Sequence, residues 1–536
     1  MPLPRAFLPL RHGTFRMLWL ATLASNIGLW IQNTGAGWLM TSLDPTPMMV
    51  SLVQAASMLP VFLLALPAGA LADIIDRRHF LIGAQAWMLF VALLLTVLTW
   101  TGAIGPWGLL AITFCIGAGN AMTFPAWSAT VNELVPREDL VGAISLNGIS
   151  FNLARALGPA IGGFAIAWAG TAFAFALNSI TFLALIAALI AWRRPPAPAS
   201  RAPQEHFVSA MRAGLRFVGA NPAIRAAILR ACAFFLFAAA VWGLMPLFVR
   251  QQLGLGPSAF GLMLGVMGAA AVAAGFALPA ARARLSRSEL VFVASLASAA
   301  GMAVLAVSHH WLPAALGLVL YGAAWITAGS TIGAAAQLAA PGWVRARAIA
   351  IYQLSFFGAM ALGSVLFGWI GGHVGVAPTL GAAAALAAVS AVLVRPWRID
   401  ADATPAPAPA ALPPEHVEPK PAAPAEGLHS LLGEDSGRIL EVVRYRVAPG
   451  GREAFLEAMQ EVRRVRLRSG AVSWRLYEDI ADPDRWVELW AVESWTEHLR
   501  EASRRTEADR AALARAAALH AGEEPPEAAR FVNVVP

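Results

Sequence analysis

One arginine in this chain stands where a charge is costly. Arg155 lies inside an apolar run at about residues 140–168, and no other charged side chain falls near the centre of a comparable run. A guanidinium so placed normally faces an aqueous cavity or a partner, and its fork of N–H donors suits an anionic or hydrogen-bonding ligand. Asn152 precedes it by three residues and shares its helical face. Asn26, Trp30 and Asn33 fall at i, i+4 and i+7, a second polar and aromatic stripe. Gln32, Gln54, Asn120, Asn147 and Gln353 are further amides that could wall a cavity, or could instead hydrogen-bond between helices. This chemistry is recognition, not bond-making.

What the residues lack is equally informative. No Asp, Glu, Lys or His sits in mid-run, so proton coupling has no evident titrating group there. Asp44, His309, His310 and His373 on one side, with Asp73 and Glu133 on the other, are the groups left to meet protons. There is no Gly-Lys-Ser/Thr phosphate loop, which argues against an ATP-driven pump. Cys115 and Cys232 both lie in apolar runs and indicate neither a disulfide framework nor a metal site. No cofactor is implied.

The elements that must hold these residues are membrane helices. The chain is 58% hydrophobic and 13% charged, far from the composition of a soluble domain of this length. A helix needs roughly 20 apolar residues to cross the ~30 Å hydrocarbon layer. Twelve stretches meet that length: about 16–41, 47–72, 79–100, 107–132, 140–168, 172–192, 224–249, 257–281, 288–308, 312–337, 345–371 and 375–395. The longer connection 193–223 divides them six and six. With the N-terminus inside, the inner loops hold Arg5, Arg11, Arg77, Arg78, Arg137, Arg193, Arg194, Arg282, Arg284, Arg287, Arg345, Arg347, Arg395 and Arg398, whereas the opposite loops hold essentially Arg250. That asymmetry places both termini in the cytoplasm of a bacterial inner membrane. The N-terminus carries no pattern of a cleavable signal peptide. The basic pI of 10.3 is then a topology signal, and no nucleic-acid partner is implied.

The two sets of six read as copies. A shift of 205 residues lays Gly117-Ala118 on Gly322-Ala323, Pro136 on Pro341, Gly158 on Gly363 and Gly163 on Gly368. Carriers use such parallel repeats to place a substrate site at their interface. The organisation expected is an N-terminal bundle (1–192), a central loop (193–223), a C-terminal bundle (224–398), a Pro/Ala spacer (399–426) and a soluble tail (427–536). Residues 401–536 carry 16 Arg and one Lys against 23 acids, unlike the basic 22 Arg and nine acids before them. The tail patterns as β-α-β-β-α-β, a small ferredoxin-like α+β unit.

Two motifs carry a family resemblance. Gly69-Ala-Leu71-Ala72-Asp73-Ile74-Ile-Asp76-Arg77-Arg78 resembles the loop motif between the second and third helices of the major facilitator superfamily. The resemblance implies a gating latch in which Gly69 allows close helix approach and Asp73 faces the start of the eleventh helix. Arg77 or Arg78 would pair with Asp73 and Glu133. Ile74 and Asp76 depart from the usual Arg and Gly, and the same charges could serve topology alone. Gly158-Pro159-Ala160-Ile161-Gly162-Gly163 resembles the glycine-rich motif of the superfamily's antiporters, with Ala154 in place of an upstream glycine. Its physical content is a bendable helix with a flat packing face.

With Arg11 to Trp19, Trp38 to Thr41 and Asn147 to Gly163, residues 1–398 resemble the enterobactin-exporter, or transmembrane secretion effector, branch. The tail is similar to dimeric α+β barrel domains of antibiotic-biosynthesis monooxygenases, through Val487 to Trp490, Glu493 to Trp495 and His498. Trp490 and Trp495 read as core or dimer-face residues, and no nucleophile or second base is evident beside His498. These resemblances imply a secondary active efflux carrier for amphipathic small molecules, with possible proton coupling and homodimerisation through the tail. The alternatives are an uptake carrier for a polar nutrient and a carrier whose tail modifies its substrate.

Overall fold

The computed structural model describes residues 5–192, 207–340, 344–400, 438–504, 507–522 and 524–533; the Pro/Ala spacer lies outside them. The chain divides into two compact units. One comprises Met1–Pro203, Ala227–Ala334 and Tyr352–Ile399; the other comprises Gln204–Ala226, Ala335–Ile351 and Asp400–Pro536.

Among the described residues up to position 400, the α-helices are, in order, α1 (Gly13–Leu43), α2 (Pro47–Ile74), α3 (Arg77–Trp100), α4 (Pro106–Leu134), α5 (Leu140–Ala191), α6 (Phe207–Ala220), α7 (Pro222–Leu247), α8 (Pro257–Arg282), α9 (Arg287–Val307), α10 (Trp311–Leu338), α11 (Arg345–Val374) and α12 (Val376–Leu393). Among the described residues, ten helices are long and apolar enough to cross a membrane. Two features separate that number from the twelve stretches expected. The 31-residue α1 carries Asn26, Gln32 and Asn33 and is not among the ten. The 52-residue α5 joins two expected stretches in one element, broken at Gly170, whose φ of +83° only glycine adopts readily.

The first unit wears its apolar side chains outward. Phe90, Trp168 and Phe276 are 62%, 81% and 84% exposed, which suits a surface solvated by lipid and not by water. Helix starts are chemically marked. Pro47, Pro106 and Pro257 occupy first turns, where their missing N–H costs nothing. Asp76 caps α3 by accepting from His79 N at 3.1 Å, and Ser286 with Glu289 forms a capping box on α9.

Two arginines close the last helices of the unit. Arg78 donates to Leu189 O (2.8 Å) and Ile190 O (2.7 Å) at the end of α5. Arg230, 2% exposed, donates to Arg395 O (3.1 Å), Trp397 O (2.7 Å) and Ser288 O (2.9 Å) just beyond α12 and in α9. Ile190 and Arg395 stand 205 residues apart, the offset of the internal repeat. Carbonyls at a helix end lack intrahelical donors, and a cation there also complements the helix dipole.

The second unit contains a four-stranded antiparallel sheet. Its elements are β1 (Ile439–Arg446), α13 (Arg452–Ser469), β2 (Ser473–Glu478), β3 (Arg485–Val492), α14 (Trp495–Arg504), α15 (Glu507–Ala518) and β4 (Glu527–Val532), with strand order β2-β3-β1-β4. The expected order of strands and helices is present, with the last helical region divided into α14 and α15. Strand register puts Ile439, Glu441, Val443 and Tyr445 opposite Val492, Trp490, Glu488 and Trp486. These pairs share one face, and most join a core with Phe455, Met459 and Val462 of α13. In the same unit, Phe217 and Ile224 pack with Ala340, Val344 and Ala348, and Arg216 pairs with Glu493 at 3.4 Å.

Replacing Arg230 with Ala strips three carbonyls of their donor at once, a loss of about 2 kcal/mol or more. The apparent melting temperature in detergent should fall by several degrees, with partial recovery in Arg230→Lys. An unchanged melting curve for Arg230→Ala would show that these contacts carry no stability.

Candidate functional site

The glycine-rich stretch of α5 is wedged between two helices. A Cβ on Gly158 would lie 2.4 Å from Trp30 Cβ, and one on Gly162 3.1 Å from Ile31 Cα, both on α1. On the other side, a Cβ on Gly163 would lie 2.6 Å from Pro257 O and 2.7 Å from Gly261 Cα of α8. The pattern recurs in α11. Gly363 abuts Leu236 and Ala239 of α7, and Gly368 abuts Pro47 and Ser51 of α2. The partners repeat as faithfully as the glycines: Leu236 and Ala239 stand 209 residues after Ile27 and Trp30, and Pro257 and Gly261 stand 210 after Pro47 and Ser51. Helices in lipid gain little from apolar burial against one another, so backbone contact through small residues carries the association.

More contacts join α1–α5 to α7–α12 at the same end. Arg250, the lone arginine expected opposite the basic loops, donates to Thr41 Oγ1 (2.8 Å) and Ser42 Oγ (2.5 Å) and stacks over Trp38. Gln251 donates to Pro45 O at 3.3 Å, and Trp38 stacks on Phe260.

Deeper in, Arg155 of α5 shares a small pocket with Trp242 of α7, Met267, Gly268 and Ala271 of α8, and Gly322 and Trp325 of α10. It donates to Asn152 Oδ1 at 2.7 Å, the face-sharing pair expected from spacing. Asn152 in turn donates to Gly148 O, so it does not neutralise the cation. An aromatic series borders the pocket, from Trp30 to Trp242 (5.7 Å between centroids), Trp242 to Trp325 (5.5 Å) and Phe235 to Trp325 (5.1 Å). Phe356 extends it from α11. Trp30 therefore reaches the site, whereas Trp242 and Trp325 had no sequence signal beyond being aromatic.

The remaining amides divide in two. Asn26, Asn33, Gln54, Asn120, Asn147 and Gln353 are half-buried and make no hydrogen bond to another described residue. Gln32 is different: it is 3% exposed and accepts from Asn178, itself fully buried. That pair ties α1 to the second limb of α5, so Gln32 is spoken for between helices and does not wall a cavity.

The charged residues of the loop motif have these partners. Arg77 pairs with Glu133 at 2.5 Å. Arg78 instead serves the carbonyls of α5, and Asp76, the departure from the family pattern, is the α3 cap. The side chain of Asp73 and the surroundings of Gly69 lie outside what the structure describes. A further cluster had no sequence signal: Asp139, 7% exposed, accepts from Arg11 (3.0 Å) and meets His12 Nε2 (2.8 Å).

Among the described residues, ten long apolar helices with an internal arginine and an aromatic wall define a multi-spanning membrane protein. The chain belongs to the transmembrane secretion effector family, which matches over residues 5–535. It is 25% identical over 230 residues to the uncharacterised MFS-type transporter YfiS of Bacillus subtilis (42% of this chain, 54% of that one). It is 27% identical over 142 residues to the staphyloferrin A transporter of Staphylococcus aureus (26% and 36%). Against the enterobactin exporter EntS of Shigella boydii, the identity is 27% over 216 residues (40% and 51%). The chain spans about half the length, or less, of these curated relatives. Its fold is that of solved transporters. A bacterial homolog of the human lysosomal transporter Spinster, inward-facing and unoccupied, superposes with TM-score 0.60 at 12% identity, covering 73% of this chain and 97% of that one. A POT family transporter gives 0.58 at 13%, covering 71% and 95%.

A side chain at position 163 must displace the backbone of α8. Overpacking of this kind costs about 1–3 kcal/mol, so Gly163→Val should depopulate the closed end by about tenfold or more. Cross-linking of S42C with R250C by a short bifunctional maleimide, which spans the length of the lost arginine side chain, reports that closure, and undiminished cross-linking in Gly163→Val would count against the contact.

Proposed function

We propose that the chain is a secondary active carrier that exports amphipathic small molecules by alternating access between two six-helix halves. The observation carrying this reading is Arg155, set on one half against Trp242 and Trp325 of the other. A ligand held there touches both halves, so its binding energy can differ between two arrangements of them. Counting the two limbs of α5 separately and adding α1 brings the ten apolar helices to twelve, and the contacts repeating at offsets of 205 to 210 residues support a pseudo-two-fold relation. With outer ends sealed by Arg250 and the glycine contacts, the arrangement reads as open toward the basic, cytoplasmic side.

The substrate class follows from the pocket walls: an aromatic or otherwise flat apolar body bearing an anionic or strongly hydrogen-bonding group. The names of the staphyloferrin A and enterobactin relatives point to siderophore-like cargo. Proton coupling would have to use groups at helix ends, such as Glu133 with Arg77 or Asp139 with Arg11 and His12. Asp73 takes the latch role that its motif implies. Both termini lie in the cytoplasm of the inner membrane. The tail we assign to the ferredoxin-like type, and its sheet face bearing Leu440, Tyr477 and Phe531, which are 36%, 52% and 50% exposed, to pairing with a second copy.

Arg155→Ala and Asp73→Asn should each abolish export at unchanged protein level, with the compound accumulating inside a strain that lacks wild-type protein. Normal efflux by both variants would sink the site, and loss of uptake in the deletion strain would reverse the direction. Phe531→Glu should convert a detergent-solubilised dimer to monomer in light scattering; a wild-type chain that is monomeric throughout would remove the pairing.

A further inference from the structure

The layer between sheet and helices in the second unit holds an unusual number of buried charges. Glu441 of β1 is 4% exposed, Glu488 of β3 0%, Glu501 of α14 2% and Arg466 of α13 1%. Buried ions must be paired and hydrogen-bonded, or they are costly. One carboxylate meets that requirement fully. Glu488 accepts from Arg466 Nε (3.0 Å), Trp474 Nε1 (3.0 Å) and Tyr445 OH (3.1 Å).

Glu441 does not. Its Oε2 faces Arg530 Nε at 3.6 Å, beyond hydrogen-bonding distance. Its Oε1 touches His498 Nδ1, yet neither atom makes a hydrogen bond of acceptable geometry, and Arg530 Nε also lacks one. Buried polar atoms in native proteins are nearly always satisfied, and an exception in the midst of potential ligands asks for a missing ion or water.

We propose that Glu441, His498 and Glu501 bind a divalent transition-metal ion in the core of the C-terminal unit. The three offer one ligand atom each, and these atoms lie within 4.8 Å of one another. His498 and Glu501 sit at i and i+3 on α14, one face of one turn, and Glu441 meets them from the adjacent strand. One imidazole nitrogen with two carboxylate oxygens selects Mn(II), Fe(II) or Zn(II) over Mg(II), Ca(II) or Cu(I).

The surroundings are those of a held site. Trp490 Nε1 donates to Glu501 Oε2 at 3.3 Å, and Arg466 NH1 lies 3.6 Å from Glu501 Oε1. Trp495 stacks on the His498 ring at 4.9 Å and fixes its plane. Three protein ligands leave positions for water or for an oxygen-donor chelate.

The test uses the full-length protein in detergent, stripped with a chelator and titrated with Mn(II), with free Mn(II) read by room-temperature electron paramagnetic resonance. A single Mn(II) per chain should bind and be displaced by Zn(II). His498→Ala and the near-isosteric Glu441→Gln should each weaken binding by about 100-fold, the upper end of what loss of an outer-shell partner costs. Glu461→Gln, on the exposed pair with Arg515, should leave binding unchanged. If His498→Ala fails to fold, Glu441→Gln and the wild-type stoichiometry still decide. Only trace binding by the wild type would overturn the proposal and leave Glu441, His498 and Arg530 as an ion-pair cluster. Wild-type affinity in Glu441→Gln would equally overturn it by placing the ion elsewhere.

Discussion

The first unit depends on backbone meeting backbone. Where α5 passes α8, Gly163 and Gly261 face each other without side chains, and a Cβ on either would come within 3 Å of the other's main chain. In lipid, apolar surface is as well solvated by acyl chains as by another helix, so such packing takes over the work that water expulsion performs in a soluble core. The same logic holds where Gly368 meets Ser51. Both contacts are flat and bring main chain against main chain or a small side chain.

Polar groups then decide where that surface stops. Arg250, three residues beyond the end of α7, ties one end of the unit to α1 through two hydroxyls, and Arg78 and Arg230 seal terminal carbonyls. Between these levels Arg155 donates to Asn152, a neutral amide and its one side-chain hydrogen-bond partner among the described residues. Arg230, bonded to three carbonyls, is held far more completely.

Much of this was legible in the residues. Arg155 and Asn152 declared themselves by charge and by i, i+3 spacing, and the glycine repeat by its constant offset. What was illegible concerns partners remote in the chain. Gln32 looks like any cavity amide until Asn178, 146 residues away, is brought to it. Arg78 belongs to a motif that suggests a carboxylate partner, yet the nearby end of α5 offers carbonyls. His498 looked isolated because Glu441 arrives from a strand 57 residues earlier, although the spacing to Glu501 was a signal that could have been read. The expected stretches end at 168 and resume at 172, and the structure narrows that break to Gly170.

The composition of the second unit bears on how the protein is made. Arg216 and Phe217 emerge from the ribosome long before the C-terminal partners that share their unit, with 277 residues separating Arg216 from Glu493. At about 5–20 residues per second, roughly 14–55 s pass before Glu493 is synthesised. Through that interval Arg216 awaits Glu493, whereas Phe217 gains its packing partners Ala340, Val344 and Ala348 earlier. The Arg216–Glu493 ion pair therefore forms only after helices α7–α12 have been synthesised.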